Sequence, residues 1–306
     1  MEVRGRFAPS PSGELHAGNL FCALLAFLSA RSQGGTFLLR IEDLDTARCK
    51  REYAEQAIRD LSWLGFSWDG EVLWQSERTE VYRAALEVLR EKGLVYPCFC
   101  TRAALHAVDA PHGRDGQSVY SGACRNLSAQ EIARRSKTRA PSLRVRVPDE
   151  TWGVDDGHMG RYEENLAREC GDFLLRRSDG LFAYQLAVVT DDAASGVTEV
   201  VRGADLLSSA PRQNYLYSLF GWAPPRYFHV PLLLNAEGKR LSKRDADAGA
   251  SHWRGRFSPQ EILGKLAYLA GQNPTMEARE IDDLVAAFDP AAVPREDVRI
   301  PRGFFG

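Results

Sequence analysis

The opening third of the chain restricts the fold most, because short apolar runs there alternate with longer runs of helical period. "GRFAP" reads as a strand ended by a Pro/Ser turn, and residues 18–32 read as a helix closed by Gly34 and Gly35. "TFLLRIED" is a second strand, residues 49–64 are a second helix stopped at Gly65, and "ERTEVYRAALEVLREKG" is a third helix stopped at Gly93. Strand, helix, strand, helix predicts an α/β domain with a parallel sheet, since parallel strands need a crossover between them.

A chain of 306 residues, 44% hydrophobic and 26% charged, can bury the core of one large domain with an insertion, or of two domains. Its net charge of −2 gives no global attraction to nucleic acid or anionic membrane, so any polyanion must be met by a local patch. The longest apolar run, Leu20 to Leu28, falls short of the roughly 20 residues that span a bilayer. Pro9, Pro11, Glu14 and His16 lie between the early arginines and that run, which spoils a signal-peptide pattern. Six cysteines in so long a chain do not form a disulfide framework, and the expected compartment is the reducing cytoplasm.

Residues 98–127 lose helical period and carry Cys, His, Gly and Asp, as an inserted subdomain would. "PSLRVRVP" alternates like a half-exposed strand. The run from Asp172 to Gly203 reads as a hairpin turning at Ser178-Asp179-Gly180, then a helix, then another strand. Residues 251–306 are mostly helical by pattern, with proline breaks. Internal repeats and low-complexity tracts are absent from the sequence.

Three groups of residues carry candidate chemistry. In "RFAPSPSGELHAGN", His16 stands at the mouth of the first helix, where open backbone N–H groups and the helix dipole can seat a phosphate, and Gly18 allows close approach; a packed histidine capping its own helix is the other reading. "GKRLSKRD", residues 238–245, is a loop bearing Lys239, Arg240, Lys243 and Arg244, either mobile and functional or merely solvated. Cys98, Cys100 and Cys124 supply three thiolates suited to tetrahedral zinc, with Tyr120, His106 or His112 as the fourth ligand, or else they are unmetallated thiols. The basic runs "RRSKTR" and "RVRV" could meet an RNA backbone or could be solvated helix ends.

"HAGN" early and "LSKR" late resemble the HIGH and KMSKS signatures of class I aminoacyl-tRNA synthetases. With "LLRIEDLD", "WLGFSWDG", "QSERTEVYRAALEVL", "YQLAVVTDD" and "GVTEVVRGADLL", most of residues 4–250 resemble the catalytic core of the glutamyl-tRNA synthetase family, closest to its short branch that lacks anticodon-binding domains. The resemblance implies a Rossmann-type catalytic domain at 1–97 and 181–250, a zinc-binding insertion meeting the tRNA acceptor end at 98–180, and a helical C-terminal region at 251–306. It implies His16, Gly18, Asn19 and Lys243 as ATP-binding, with His16 and Lys243 catalytic. For glutamate it implies Arg6, Ala8, Ser10, Glu42, Tyr184 and Arg202, with Glu42 on the ammonium; a structural salt bridge is the alternative for Glu42 and Arg202. Alternation along "TFLLRIED" sends Arg40 and Glu42 to one face, at the strand end where α/β proteins bind ligands.

The resemblance further implies one structural zinc on Cys98, Cys100, Tyr120 and Cys124, magnesium with the ATP, and a monomer. Its acceptor would be the queuosine at the wobble position of tRNA(Asp). A truncated glutamyl-tRNA synthetase charging a tRNA 3′ end and a non-catalytic RNA-binding paralogue are the other two functions that the residues allow. Full-length glutamyl enzymes usually carry asparagine four residues after the pocket tyrosine; Val188 here implies altered amino-acid selection.

Overall fold

The computed structural model describes residues 2–101, 119–241 and 249–305. The first layer runs β1 (Arg4–Phe7), α1 (Ala17–Ser32), β2 (Thr36–Ile41), α2 (Arg51–Trp63), β3 (Leu73–Trp74) and α3 (Thr79–Glu91). β1 pairs in parallel with β2, and β2 with β3, as the alternation requires. α1 has core residues on every side, from Ala17 to Ala30, which is why it carries no charge before Arg31. It lies so close to β1 that a Cβ on Gly5 would stand 3.0 Å from the Ala30 methyl.

The chain then builds β4 (Val95–Cys98), α4 (Ala129–Ser136), β5 (Ser142–Val145), β6 (Thr151–Asp156), β7 (Gly160–Asn165), α5 (Leu166–Glu169) and β8 (Leu174–Arg176). β4, β5 and β8 form an antiparallel sheet. β5 is not half-exposed as its alternation predicts: Leu143, Arg144 and Val145 are all buried. Arg144 is accepted inside because it donates to the Asp172 carbonyl at 2.6 Å and lies over the Tyr120 ring at 3.8 Å. β6 and β7 pair as an antiparallel hairpin that the sequence does not announce, since Asp155, Asp156, Arg161, Glu163 and Glu164 obscure any apolar alternation.

The expected turn at Ser178-Asp179-Gly180 is closed by a bridge between Arg176 and Phe182. After it come α6 (Tyr184–Ala194), β9 (Glu199–Gly203), α7 (Ser209–Phe220), β10 (Arg226–Val230), β11 (Leu233–Leu234), α8 (Ala250–Trp253), α9 (Pro259–Leu269), α10 (Ile281–Ala286) and β12 (Val298–Arg299). β9 and β10 are parallel partners, and Thr198 donates its N–H to the Arg4 carbonyl at 3.0 Å, setting β9 against the free side of β1. The three-stranded sheet β1-β2-β3 and the pair β9-β10 thus lie to either side of the β1 edge, the kind of place where open α/β sheets bind ligands. Trp253, Ile262, Leu263 and Leu266 enter the same core as α1, and β12 pairs with β11.

Candidate active site

A crevice of about 370 Å³ opens at the carboxyl ends of β1, β2 and β9. Arg6, Ala8, Ser10, His16, Gly18, Asn19, Glu42, Tyr184 and Arg202 all line it, so segments nearly 200 positions apart converge as the motifs predict. Val188, one helical turn after Tyr184, is buried and does not line the crevice. Lys243 lies outside the described residues. The segment containing it begins after Leu241, which lines the crevice, and ends at Gly249, whose backbone bridges His16.

At the inner end, charges alternate. Glu42 is held by Arg40 at 3.2 Å and faces the Ser10 hydroxyl at 3.5 Å. Arg40 in turn donates to Asp192 at 2.5 Å, and Arg6 stands 3.4 Å from the same Asp192 oxygen. Burial raises the pKa of Glu42, with Arg40 and Arg6 opposing it. Burial acts on Asp192 too, but the two guanidinium groups hold its carboxyl below the usual range. Counting Arg202, three guanidinium groups face two carboxylates, so this end carries one excess positive charge when both acids are ionised. An anionic ligand with one ammonium and two carboxylates matches that balance.

His16 takes the capping arrangement, one of the two readings its position allows. Its Nδ1 accepts from the N–H groups of Gly18 at 3.1 Å and Asn19 at 3.4 Å, while Asn19 Oδ1 accepts from the His16 N–H at 3.1 Å. The imidazole thus occupies the helix end itself. The consequence is a defined tautomer: with Nδ1 accepting, the neutral ring keeps its proton on Nε2. A Cβ on Gly18 would stand 3.1 Å from the ring, so glycine there makes room for the imidazole.

Sequence reasoning missed Asp192, Asp156, His229 and Gln213. Arg202 donates from Nε to His229 Nε2 at 2.9 Å, from Nη1 to Gln213 Oε1 at 2.9 Å and from Nη2 to the Leu206 carbonyl at 3.2 Å. The available signals were the acidic pair closing "YQLAVVTDD" and the lone histidine inside "YFHVPLLL", polar groups in otherwise apolar runs. Asp191 is also buried, accepting from Gln75, Arg78 and Tyr82 at 2.7, 2.6 and 2.8 Å.

The second cluster lies at the end of β4 and ahead of α4. The sulfurs of Cys98, Cys100 and Cys124 all lie within 4.8 Å of one another, Cys100 and Cys124 at 3.7 Å, the spacing of thiolates around a tetrahedral ion. Tyr120 Oη is 3.4 Å from Cys98 Sγ and accepts the Cys124 N–H at 2.9 Å, so it converges on the same point. His106 and His112 lie outside the described residues. Burial raises the Cys98 thiol, but neighbouring hydrogen bonds, led by Tyr120, bring it down to about 7; burial and then Cys98 push Cys100 up to about 12. Gly171 takes a φ of +66° against Tyr120, where an added Cβ would strike the Tyr120 carbonyl at 2.5 Å. The three cysteines can hold a metal. Cys22, Cys49 and Cys170 are half-buried thiols apart from this cluster.

The basic runs do not behave alike. In "RVRV", Arg144 is committed to Asp172 and Tyr120, and Arg146 donates to the Arg125 carbonyl at 2.6 Å, so these are internal supports. In "RRSKTR", Arg134 and Arg135 pair with Glu131 on the surface of α4.

Residues 2–285 match the family described as tRNA synthetases class I (E and Q), catalytic domain. Over 311 residues the chain is 47% identical to the glutamyl-Q tRNA(Asp) synthetase of Nitratidesulfovibrio vulgaris, covering 98% of this chain and 96% of that one. The protein of that name from Thiobacillus denitrificans is 52% identical over 241 residues, 78% of this chain and 77% of that one. The crystal structure of glutamate-tRNA synthetase from Elizabethkingia anophelis superposes with a TM-score of 0.85 at 28% identity, covering 100% of this chain and 69% of that one.

Proposed function

Because the chain belongs to the class I tRNA synthetases of the glutamyl and glutaminyl group, we propose that it activates L-glutamate with ATP and transfers the glutamyl group to the queuosine at the wobble position of tRNA(Asp). It is a ligase of the aminoacyl-tRNA synthetase type. The observation that carries the glutamate reading is the crevice itself, where Glu42 can take the ammonium while Arg6 and Arg202 face the carboxylates. The acceptor reading is supported by relatives named glutamyl-Q tRNA(Asp) synthetase at 44–52% identity, against 28–29% for the glutamate-tRNA synthetase structures.

Activation joins the substrate carboxylate to the α-phosphorus of ATP and releases pyrophosphate, so no protein nucleophile is needed. Catalysis rests on positioning and on donors aimed at phosphate oxygens. His16 is assigned to those oxygens from its motif, next to Gly18 and Asn19, which line the crevice with it. Lys243 is assigned to the same phosphates from its motif, and magnesium accompanies the ATP. Tyr184 lines the glutamate side, with Ala8 and Ser10 on the β1 turn opposite. Zinc, on Cys98, Cys100, Cys124 and Tyr120, would pin the insertion. Among the described residues no helix is long and apolar enough to cross a membrane, and a cytoplasmic monomer is proposed.

Glutamate-dependent exchange of labelled pyrophosphate into ATP tests the first step. Transfer to tRNA(Asp) with and without queuosine tests the second. Acceptance that ignores queuosine and is abolished by periodate oxidation of the tRNA end would assign the chain instead to charging of a 3′ terminus.

A further inference from the structure

We propose that Asp156 and His229 are positioning residues for Arg202, holding its guanidinium at the angle from which it meets the glutamate substrate; this rests on the glutamate reading above. The register of β9 on β10 places Arg202 directly beside His229. His229 is fully buried, and its two ring nitrogens have opposite roles. Nε2 accepts from Arg202 Nε at 2.9 Å, so the ring is neutral and its proton is on Nδ1, which donates to Asp156 Oδ2 at 2.6 Å.

Asp156 is itself immobilised. It closes β6 and accepts from the N–H groups of His158 at 3.0 Å, Met159 at 2.8 Å and His229 at 3.1 Å. The hairpin turn that supplies the first two is anchored: the His158 ring stacks on Phe228 with centroids 4.9 Å apart and bonds the Pro294 carbonyl at 2.8 Å.

The bonds to His229, Gln213 and Leu206 use one N–H on each guanidinium nitrogen and leave a second N–H on each terminal nitrogen unused by them. A guanidinium can take a carboxylate bidentately through one N–H on each terminal nitrogen, and that is the fork assigned here to the substrate. Pinning Nε sets the plane of that fork, and Asp156 behind the imidazole fixes the ring's orientation and tautomer. Without the imidazole acceptor, the guanidinium could rotate about its last side-chain bond and lose the fork geometry.

The test compares His229→Leu, His229→Gln and Asp156→Asn in glutamate-dependent pyrophosphate exchange. Leucine removes the acceptor; glutamine returns an oxygen near the Nε2 position. His229→Leu is expected to raise the KM for glutamate by about tenfold or more with the KM for ATP unchanged, since the lost interaction concerns one substrate. His229→Gln is expected to recover most of this, and Asp156→Asn to give a smaller increase of the same kind. A general packing defect would move both KM values and would not be rescued by glutamine. An unchanged glutamate KM in folded His229→Leu overturns the proposal, and if that variant does not fold, an unchanged glutamate KM in Asp156→Asn does so. Unmodified protein that shows no exchange with glutamate overturns the substrate reading instead.

Discussion

Arg40 and Asp192 form an ion pair at 2.5 Å with each side chain only 3% exposed, and the same guanidinium reaches forward 3.2 Å to Glu42 in the crevice. Asp192 thus stands behind the site as the counter-charge for Arg40 and Arg6. Asp192→Asn keeps the shape but leaves two buried guanidinium groups short of a partner. Breaking a buried pair from one side costs about 3–5 kcal/mol, far more than any exposed ion pair here contributes. The denaturant midpoint should fall by a corresponding amount with an unchanged m-value, whereas Asp155→Asn on the exposed β6–β7 hairpin should leave it in place.

Glu42 gives the pH dependence. Burial raises its pKa above the ordinary 4.5, while Asp192 is held low by Arg40 and Arg6 and stays ionised. If Glu42 takes the substrate ammonium as proposed, binding needs its ionised form, so it is complete above the raised pKa and is lost as the pH falls through it. The KM for glutamate should therefore climb on acidification with an inflection above 4.5. Glu42→Gln should raise that KM by about a hundredfold at neutral pH, as loss of a buried charge partner does, and should remove the inflection. Retention of the inflection in the variant would assign it to another group.

What could be read in the sequence follows from how local the signal is. The β1 to α3 alternation is written in runs with one period each, and helix stops fall on Gly34, Gly65 and Gly93, each of which has positive φ. Glu42 and Arg40 were legible because strand alternation alone decides which face they share. The β6–β7 hairpin was hidden because its strands carry charged residues on both faces, satisfied by partners such as Arg212 for Glu164 and His229 for Asp156. Asp192 and His229 were missed for a related reason. Their roles are set by residues 152 and 27 positions away, and nothing in their own neighbourhoods states which cation or hydrogen-bond partner they will meet.

The cysteine cluster predicts metal-dependent stability. Purified protein should carry about one equivalent of zinc, and a strong chelator should lower the thermal midpoint, because binding of the ion by sulfurs gathered within 4.8 Å only in the folded chain contributes to folding free energy. Cys124→Ser should abolish stoichiometric metal. Tyr120→Phe separates the ligand roles: it removes one oxygen and the acceptor for the Cys124 N–H. Metal affinity should weaken by about ten- to a hundredfold if that oxygen ligates or orients the set. Unchanged affinity would show that the three sulfurs suffice.

His16 combines two functions that a pair of substitutions can separate. Its Nδ1 caps α1 through Gly18 and Asn19, while the contact to phosphate proposed for it would use the other ring nitrogen. Asparagine is a good N-cap and can accept the same backbone N–H groups, so His16→Asn should stay within about 0.5 kcal/mol of the parent, whereas His16→Ala should lose about 1 kcal/mol. Neither variant places a donor where Nε2 stood. If that donor stabilises the phosphates as α-phosphorus is attacked, both should slow pyrophosphate exchange by about a hundredfold regardless of their difference in stability. Recovery of exchange in His16→Asn would mean that the imidazole serves only to close the helix, and the phosphate contact would then have to come from another residue of the crevice.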